Sequence, residues 1–480
     1  MDAADFPRLI EALSDPAAYP HPVERVHHLE THISHVLLTG DYAYKLKKPV
    51  DLGFLDFSTL DLRLHYCQEE IRLNRRLAAW LDPELVTLTG SPESPRIDGD
   101  GPLLEYAVRM RQFQQDQLLD RSKVTPEIID QLADMVADFH AAIPAAPEDS
   151  PYGTPDAVLE PMRENLRQVR AQAVDLEQTQ RLERLTAWTE HRWRRLTPVL
   201  RSRRAGGHVR ECHGDLHRGN IAMVEGWPLL FDALEFSPNL RWIDTASELA
   251  FMVMDLEEAG EVPMARRLLN RYLEHGGDYG AIEVLDFYKV YRAMVRAKVR
   301  AIRLQQTAPA TSEARAERLE CRRYLELAES YTRARRPRLL ITCGFSGSGK
   351  SRLGRKLREV LPLIHLRSDV ERKRLFAGRA DEAFDCAIYS PRATERTYGR
   401  LAELAGLILD AGYDVLVDAT FLSRKRRLAF RDLARWSGAR FAILATGAPI
   451  PTLRERVVRR LEEGSDASEA TLRVLEGQLA

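Results

Sequence analysis

Residues Arg338–Val360 read RLLITCGFSGSGKSRLGRKLREV. A short apolar run, LLIT, gives way to glycines and serines and then to a charged segment whose spaced leucines suit one face of a helix. Gly344, Gly349, Lys350 and Ser351 meet the pattern GxxxxGKS between that strand and that helix. Gly344, Gly347 and Gly349, with Ser346 and Ser348 between them, let successive backbone N–H groups turn toward phosphate oxygens. Lys350 offers a cation to the β- and γ-phosphates, Ser351 offers a hydroxyl to magnesium, and the helix N-terminus faces the anion. The segment reads as a loop for the phosphates of ATP with Mg2+, and its strand–loop–helix order as the start of a parallel α/β sheet.

Downstream residues extend this reading. LIHL is a second apolar strand, and Asp369 and Arg372 follow it in RSDVER. A carboxylate placed there can take a proton from an acceptor hydroxyl, or can cap the next helix. A third apolar strand, DVLVDAT, ends with Asp418, which is placed to hold the magnesium or to cap the strand. LRERVVRRLEEGSD carries Arg456, Arg459 and Arg460 on one helix before a Gly-Ser-Asp break. Such arginines can close over a transferring phosphoryl group, or can form a solvated face paired with Glu455 and Glu462. From Arg338 to Ala480 the chain resembles the polynucleotide-kinase and zeta-toxin-like P-loop kinases. The resemblance implies that Asp369 activates the acceptor hydroxyl, that Arg372 helps bind acceptor or phosphate, and that Arg456 and Arg460 stabilise transferred charge.

A second motif lies upstream. Cys212–Ile221 reads CHGDLHRGNI and Pro228–Phe236 reads PLLFDALEF. Phosphoryl transfer of the protein-kinase type needs an aspartate at the acceptor hydroxyl, an asparagine about five residues on for magnesium, and a second aspartate after the next strand. Asp215, Asn220 and Asp232 meet that spacing. HGDLHRGN resembles the catalytic loop of the aminoglycoside phosphotransferase and choline kinase family. By that resemblance Asp215 is the base and Asn220 and Asp232 are metal ligands. His213 and His217 could be ligands in isolation, and a satisfied structural role is the preferred reading of both. The likeness runs from about Val26 to Asp244, with further helices to about Arg335.

The preceding region is consistent with a small sheet lobe. HVLLT and YAYKLKKP flank Gly40–Asp41, a two-residue hairpin loop with glycine first. Ala43, Lys45 and Lys47 share one face of the second strand. Lys45 is the expected nucleotide-facing lysine and Lys47 its rival. Leu64–Leu81 reads as a helix carrying the ion-pair partner, with Glu69 the first choice over Glu70. Leu103–Met110 reads as the strand and hinge that receive adenine, and the Glu30–Ser34 turn as the phosphate cover. Helical periodicity follows over Thr125–Ile143, Ala157–Leu200, Met264–Gly276 and Phe287–Arg335, with Pro309 as a breaker.

The chain has 480 residues, 70 basic and 71 acidic, for a formal net charge of −1. That length fits two or three domains, and the charge gives no global field for nucleic acid. The five cysteines, at 67, 212, 321, 343 and 386, lack CxxC spacing, so neither disulfides nor zinc are expected. No secretion signal and no apolar run of about 20 residues is read, which suggests a cytoplasmic protein without membrane contact.

The expectation is an α/β and α+β chain in two parts. Residues 1–335 form a two-lobed protein-kinase-like domain with a small β lobe and a helical C lobe, and 336–480 form a P-loop domain with a parallel sheet. Together they resemble a bacterial fusion whose two sites phosphorylate separate hydroxyls, the first on a small sugar, aminoglycoside-like molecule or amino alcohol. The rivals are a single kinase regulated by ATP at the P-loop and a polynucleotide 5′-hydroxyl kinase, a nucleic-acid reading that the neutral charge disfavours. The sequence leaves the oligomeric state open.

Overall fold

The computed structural model describes residues 5–53, 55–172, 176–308, 311–376, 390–463 and 471–479. Pro309, Cys386 and the Gly464–Asp466 break lie outside them.

After helix α1 (Phe6–Leu13), β1 (His27–Glu30), β2 (Ser34–Leu38) and β3 (Tyr42–Lys47) form antiparallel hairpins. The second turn is the expected one: Leu38 pairs with Ala43, the Thr39 N–H bonds the Tyr42 carbonyl, and Gly40 has φ +102°. Helix α2 (Leu60–Asn74) starts where the Thr59 hydroxyl accepts the Leu62 N–H. It is therefore displaced toward the N-terminus from the expected Leu64–Leu81, because a cap sets its start and the chain tightens into a short 3-10 turn at Ala79–Leu81. Strands β4 (Glu84–Ser91), β5 (Ser94–Ile97) and β6 (Leu103–Arg111) complete a six-stranded antiparallel sheet of order β1-β2-β3-β6-β4-β5. Phe6, Leu9, Leu37, Leu46 and Leu88 fill its core.

Helices α3 (Pro126–Ala142), α4 (Pro155–Arg170) and α5 (Leu176–Ala205) follow. Short strands then frame the second motif. β7 (Val209–Glu211) pairs with β10 (Trp242–Asp244), and β8 (Ile221–Val224) forms a hairpin with β9 (Trp227–Leu230). Helix α6 (Pro238–Arg241) precedes β10, and α7 (Thr245–Glu258), α8 (Val262–Gly276), α9 (Ala281–Gln306) and α10 (Ser312–Tyr331) come after it.

The chain then alternates strand and helix: β11 (Arg338–Cys343), α11 (Lys350–Val360), β12 (Leu363–Arg367), α12 (Ser368–Phe376), α13 (Pro391–Asp410), β13 (Asp414–Asp418), α14 (Arg424–Trp436), β14 (Arg440–Ala445), α15 (Ile450–Glu463) and α16 (Leu472–Leu479). The four strands are parallel, in the order β12-β13-β11-β14. Leu339, Ile341, Leu366, Val415 and Val417 are buried, as expected for strands covered on both faces. Packing divides the chain into two compact units. One comprises Met1–Val124, Ile143–Val158 and Arg203–Met252, and the other Thr125–Ala142, Leu159–Ser202 and Val253–Ala480. The helices after 252 thus share a unit with the parallel sheet.

No helix among the described residues is long and apolar enough to cross a membrane.

Candidate active sites

The β3 pleat puts Lys45 and Lys47 on one face, and both reach into a single acidic cluster. The Lys45 ammonium lies 2.5 Å from the Asp232 carboxylate and 2.9 Å from Glu70. Lys47 lies 2.7 Å from the other Glu70 oxygen and also bonds Glu235. Glu70, 1% exposed, bridges both lysines. Burial pushes its acid form up, but the two ammonium groups outweigh this and hold its carboxyl at about 2. Burial likewise opposes the charge on Lys45, while Asp232 and Glu70 raise it well above the ordinary lysine value.

Glu69 is not the partner of Lys45. It bonds Arg72 at 2.9 Å and Arg241 at 2.9 Å, because the next residue on a helix is rotated by about 100° from its neighbour. Glu70 faces the sheet because Cys67 and Ile71, on its side of α2, pack against Val108.

The loop after β7 places the second motif. Asn220 donates to the Asp215 carbonyl at 2.9 Å and to its carboxylate at 3.1 Å, drawing the two side chains together. His213 has both ring nitrogens on main chain, toward the Phe231 carbonyl at 2.9 Å and the Asp215 N–H at 3.4 Å. Burial lowers its pKa, favouring the neutral ring. The His217 Nδ1 accepts the Gly219 N–H at 3.1 Å, and its ring packs on Phe251. Asp232 follows β9 with φ +60°, a left-handed conformation rare for a residue with a side chain and found where surroundings enforce it. The Asn74 side chain on α2 accepts the Ala233 N–H at 3.0 Å, fixing this bend beside Lys45. Gly214, at φ +90°, gives its N–H to the fully buried Glu248 at 2.7 Å.

In the second unit, β11 leads into the phosphate loop. A Cβ on Gly344 would meet the Thr446 carbonyl at 2.4 Å, so only glycine fits. Gly347 and Gly349 have φ +80° and +92°, and the space beside Gly349, just before α11, is open. Ser348 bonds Thr446 at 2.8 Å. The Lys350 ammonium donates to the Phe345 carbonyl at 2.8 Å; burial lowers its pKa against the pull of Asp418 and Asp369. Asp418, 4% exposed, accepts from Thr342 at 3.3 Å and lies 3.4 Å from His365. Burial raises its pKa, but hydrogen bonds from His365 and Ser351 together with Lys350 bring it down to about 2. A hydroxyl and an ionised carboxylate at the head of α11 are the hard oxygen donors a magnesium ion takes, and the open turn at Gly349 suits a phosphate.

Asp369 opens α12, and Arg372, buried one turn on, approaches the Thr394 hydroxyl at 3.5 Å. On α15, Arg456 donates to the Gly347 carbonyl at 3.3 Å, and Arg460 is near enough to Lys350 to lower its pKa. Gln478 on α16 accepts the Ser346 N–H at 2.9 Å and donates to its hydroxyl at 3.1 Å.

Several of these groups escape sequence reading. Glu235 stands three residues after Asp232, a spacing that flags it only once Lys47 is known to be buried. Asn74, Glu248, His365 and Gln478 join their sites through contacts distant in sequence, with no local signal.

Residues 60–285 match the Phosphotransferase enzyme family and 339–480 match the AAA domain family. The uncharacterized protein Rv2004c of Mycobacterium tuberculosis is 30% identical over 449 residues, covering 92% of this chain and 87% of its own. Among solved structures, amicoumacin kinase hAmiN in complex with AMP-PNP, Ca2+ and Ami has a TM-score of 0.43 at 14% identity, over 68% of this chain and 95% of that one. The Pnkp1/Rnl/Hen1 RNA repair complex has a TM-score of 0.25 at 20% identity, over 31% of this chain and 44% of that one. The chain belongs to the family of the mycobacterial protein, and it is an ATP-dependent kinase that joins a phosphotransferase module to a P-loop module.

Proposed function

We propose that the chain is a bifunctional phosphotransferase, with one site at Asp215 and another at Asp369, each transferring phosphate from ATP to its own hydroxyl acceptor. The observation that carries this is that each module holds its own full set of groups: Lys45, Asp215, Asn220 and Asp232 in one, Lys350, Ser351, Asp369 and Asp418 in the other. In the first site Asp215 takes the acceptor proton, oriented by Asn220, and Lys45, held by Glu70, meets the nucleotide phosphates. Asn220 and Asp232 would hold magnesium there, as Ser351 and Asp418 would in the second site. Bound magnesium would neutralise charge on the phosphates as it develops. In the second site the phosphate loop and Lys350 hold the nucleotide, Asp369 takes the acceptor proton, and Arg372, Arg456 and Arg460 offset charge on the transferred group.

The first acceptor is read as a small hydroxylated molecule, a sugar, aminoglycoside-like compound or amino alcohol, and the cytoplasm, with its supply of ATP, as the setting. The boundary near Arg336 belongs to the same proposal: β11 starts at Arg338, while the helices from 253 on share a packing unit with its sheet.

The test is transfer of label from γ-labelled ATP to a panel of sugars, amino alcohols, nucleosides and 5′-hydroxyl oligonucleotides. Asp215→Asn should lose one labelled product and Lys350→Ala another. If both variants kept every product of the wild type, the reading would be wrong.

A further inference from the structure

Helix α8 lies within the match to the phosphotransferase family, yet in the second unit it completes the sheet of the P-loop module. β12 is one edge strand of that sheet, so among the described residues one side of its backbone has no neighbouring strand. Asn270, 3% exposed, supplies what a neighbouring strand would. Its side-chain oxygen accepts the His365 N–H at 2.8 Å, and its amide donates to the Leu363 carbonyl at 3.0 Å. One helical turn on, Glu274 accepts from Arg367 at 2.9 Å, and the Glu274 carbonyl accepts from Arg374 at 2.6 Å. Gly277 closes α8 in the left-handed conformation, φ +79°, and a Cβ there would displace the Arg374 side chain.

These contacts fall on residues 363, 365, 367 and 374 and so bracket Asp369 and Arg372. The adjacent face of α8 is pinned as well. Arg267, Arg271 and His275 pair at 2.7, 2.6 and 2.7 Å with Asp130, Asp134 and Asp138, a ladder at matching four-residue steps on α3. A helix held in place by α3 in this way fixes the position of the strand end it contacts through Asn270 and Glu274.

We propose that Asn270 and Glu274 are positioning residues for the acceptor side of the P-loop site: the phosphotransferase module fixes the end of β12 and thereby aims Asp369 and Arg372. This rests on the reading of Asp369 as the group that serves the second acceptor. Among the described residues no hydrogen bond or ion pair joins Asn270 or Glu274 to the phosphate loop, so nucleotide binding and turnover should separate.

The experiment uses the full chain and ATP alone as the probe, following Lys350-dependent ATP hydrolysis and amide hydrogen exchange. Asn270→Ala leaves a buried N–H and a buried carbonyl unpaired. It should raise exchange over residues 363–372 about tenfold while leaving 339–351 unchanged, and should lower kcat about tenfold with KM for ATP within about twofold. Glu274→Gln keeps an acceptor for Arg367 and should retain most of the turnover that Glu274→Ala loses. Unchanged exchange over 363–372 in Asn270→Ala would overturn the proposal. So would a rise in KM for ATP accompanied by faster exchange throughout 339–463, since that reports general loosening. Asp369→Asn serves as the control. If it leaves hydrolysis intact, the assigned role of Asp369 fails, and the exchange result alone then decides whether α8 holds the segment.

Discussion

Replacing Glu70 by alanine should be among the most damaging single changes in the first unit. Glu70 is 1% exposed and lies 2.9 Å from Lys45 and 2.7 Å from Lys47, whose side chains are 11% and 1% exposed. Its removal takes the bridging carboxylate from two buried lysines, leaving Lys45 to Asp232 and Lys47 to Glu235, and losing one member of a buried charge cluster costs up to about 3–5 kcal/mol. The proton equilibrium gives a similar figure. The carboxyl sits at about 2 against an ordinary 4.5, and at 1.36 kcal/mol for each pKa unit the ionised form contributes roughly 3 kcal/mol. The sign follows from the folded-state pKa being the lower one. This contribution is fully present above pH 4.5 and is lost as the pH falls through the folded value near 2. Glu69→Ala is the control, because its pair with Arg72 is 20% and 45% exposed and contributes about 1 kcal/mol or less, while its buried partner Arg241 keeps Glu211 at 3.1 Å. Urea denaturation at pH 7, followed by a probe in the first unit, should separate the two variants by at least about 2 kcal/mol. Equal destabilisation would refute the assignment of Glu70 as the bridging group.

Two further outcomes follow from the site geometry. Asp215→Asn should lower transfer to the first acceptor by about 10²–10⁴-fold while leaving ATP affinity unchanged, as judged by kinetics beside calorimetric titration; a matching loss of affinity would argue against a role confined to the acceptor proton. Gly344→Ala should destabilise the P-loop module by about 1–3 kcal/mol and weaken its ATP binding, since the added Cβ meets the Thr446 carbonyl at 2.4 Å and the Ser348 hydroxyl at 2.7 Å.

Much of this architecture is legible in the sequence wherever chemistry is local. GFSGSGKS needs only its own backbone and the next helix, and HGDLHRGN brings Asp215 and Asn220 together within six residues. The Gly40–Asp41 hairpin is equally self-contained. Legibility fails where packing decides. Both glutamates at 69 and 70 lie near the lysine strand, but which one faces it depends on the rotation of α2. Treating Cys67 as apolar, with Ile71, would have placed Glu70 on the buried stripe. The start of α2 is set by Thr59 as a cap, a local signal in the sequence. Asn270 is different in kind: a polar residue on a charged helix gives no hint that it closes the edge of a sheet nearly a hundred residues away. Gln478, which reaches Ser346 across the second unit, is the same case.

Calorimetric titration of the full chain with ATP and magnesium counts the two nucleotide sites proposed for it. Two equivalents should bind to the wild type, with Lys45→Ala and Lys350→Ala each reducing the count to one. A single equivalent in the wild type, or one that either variant alone abolishes, would contradict two independent sites.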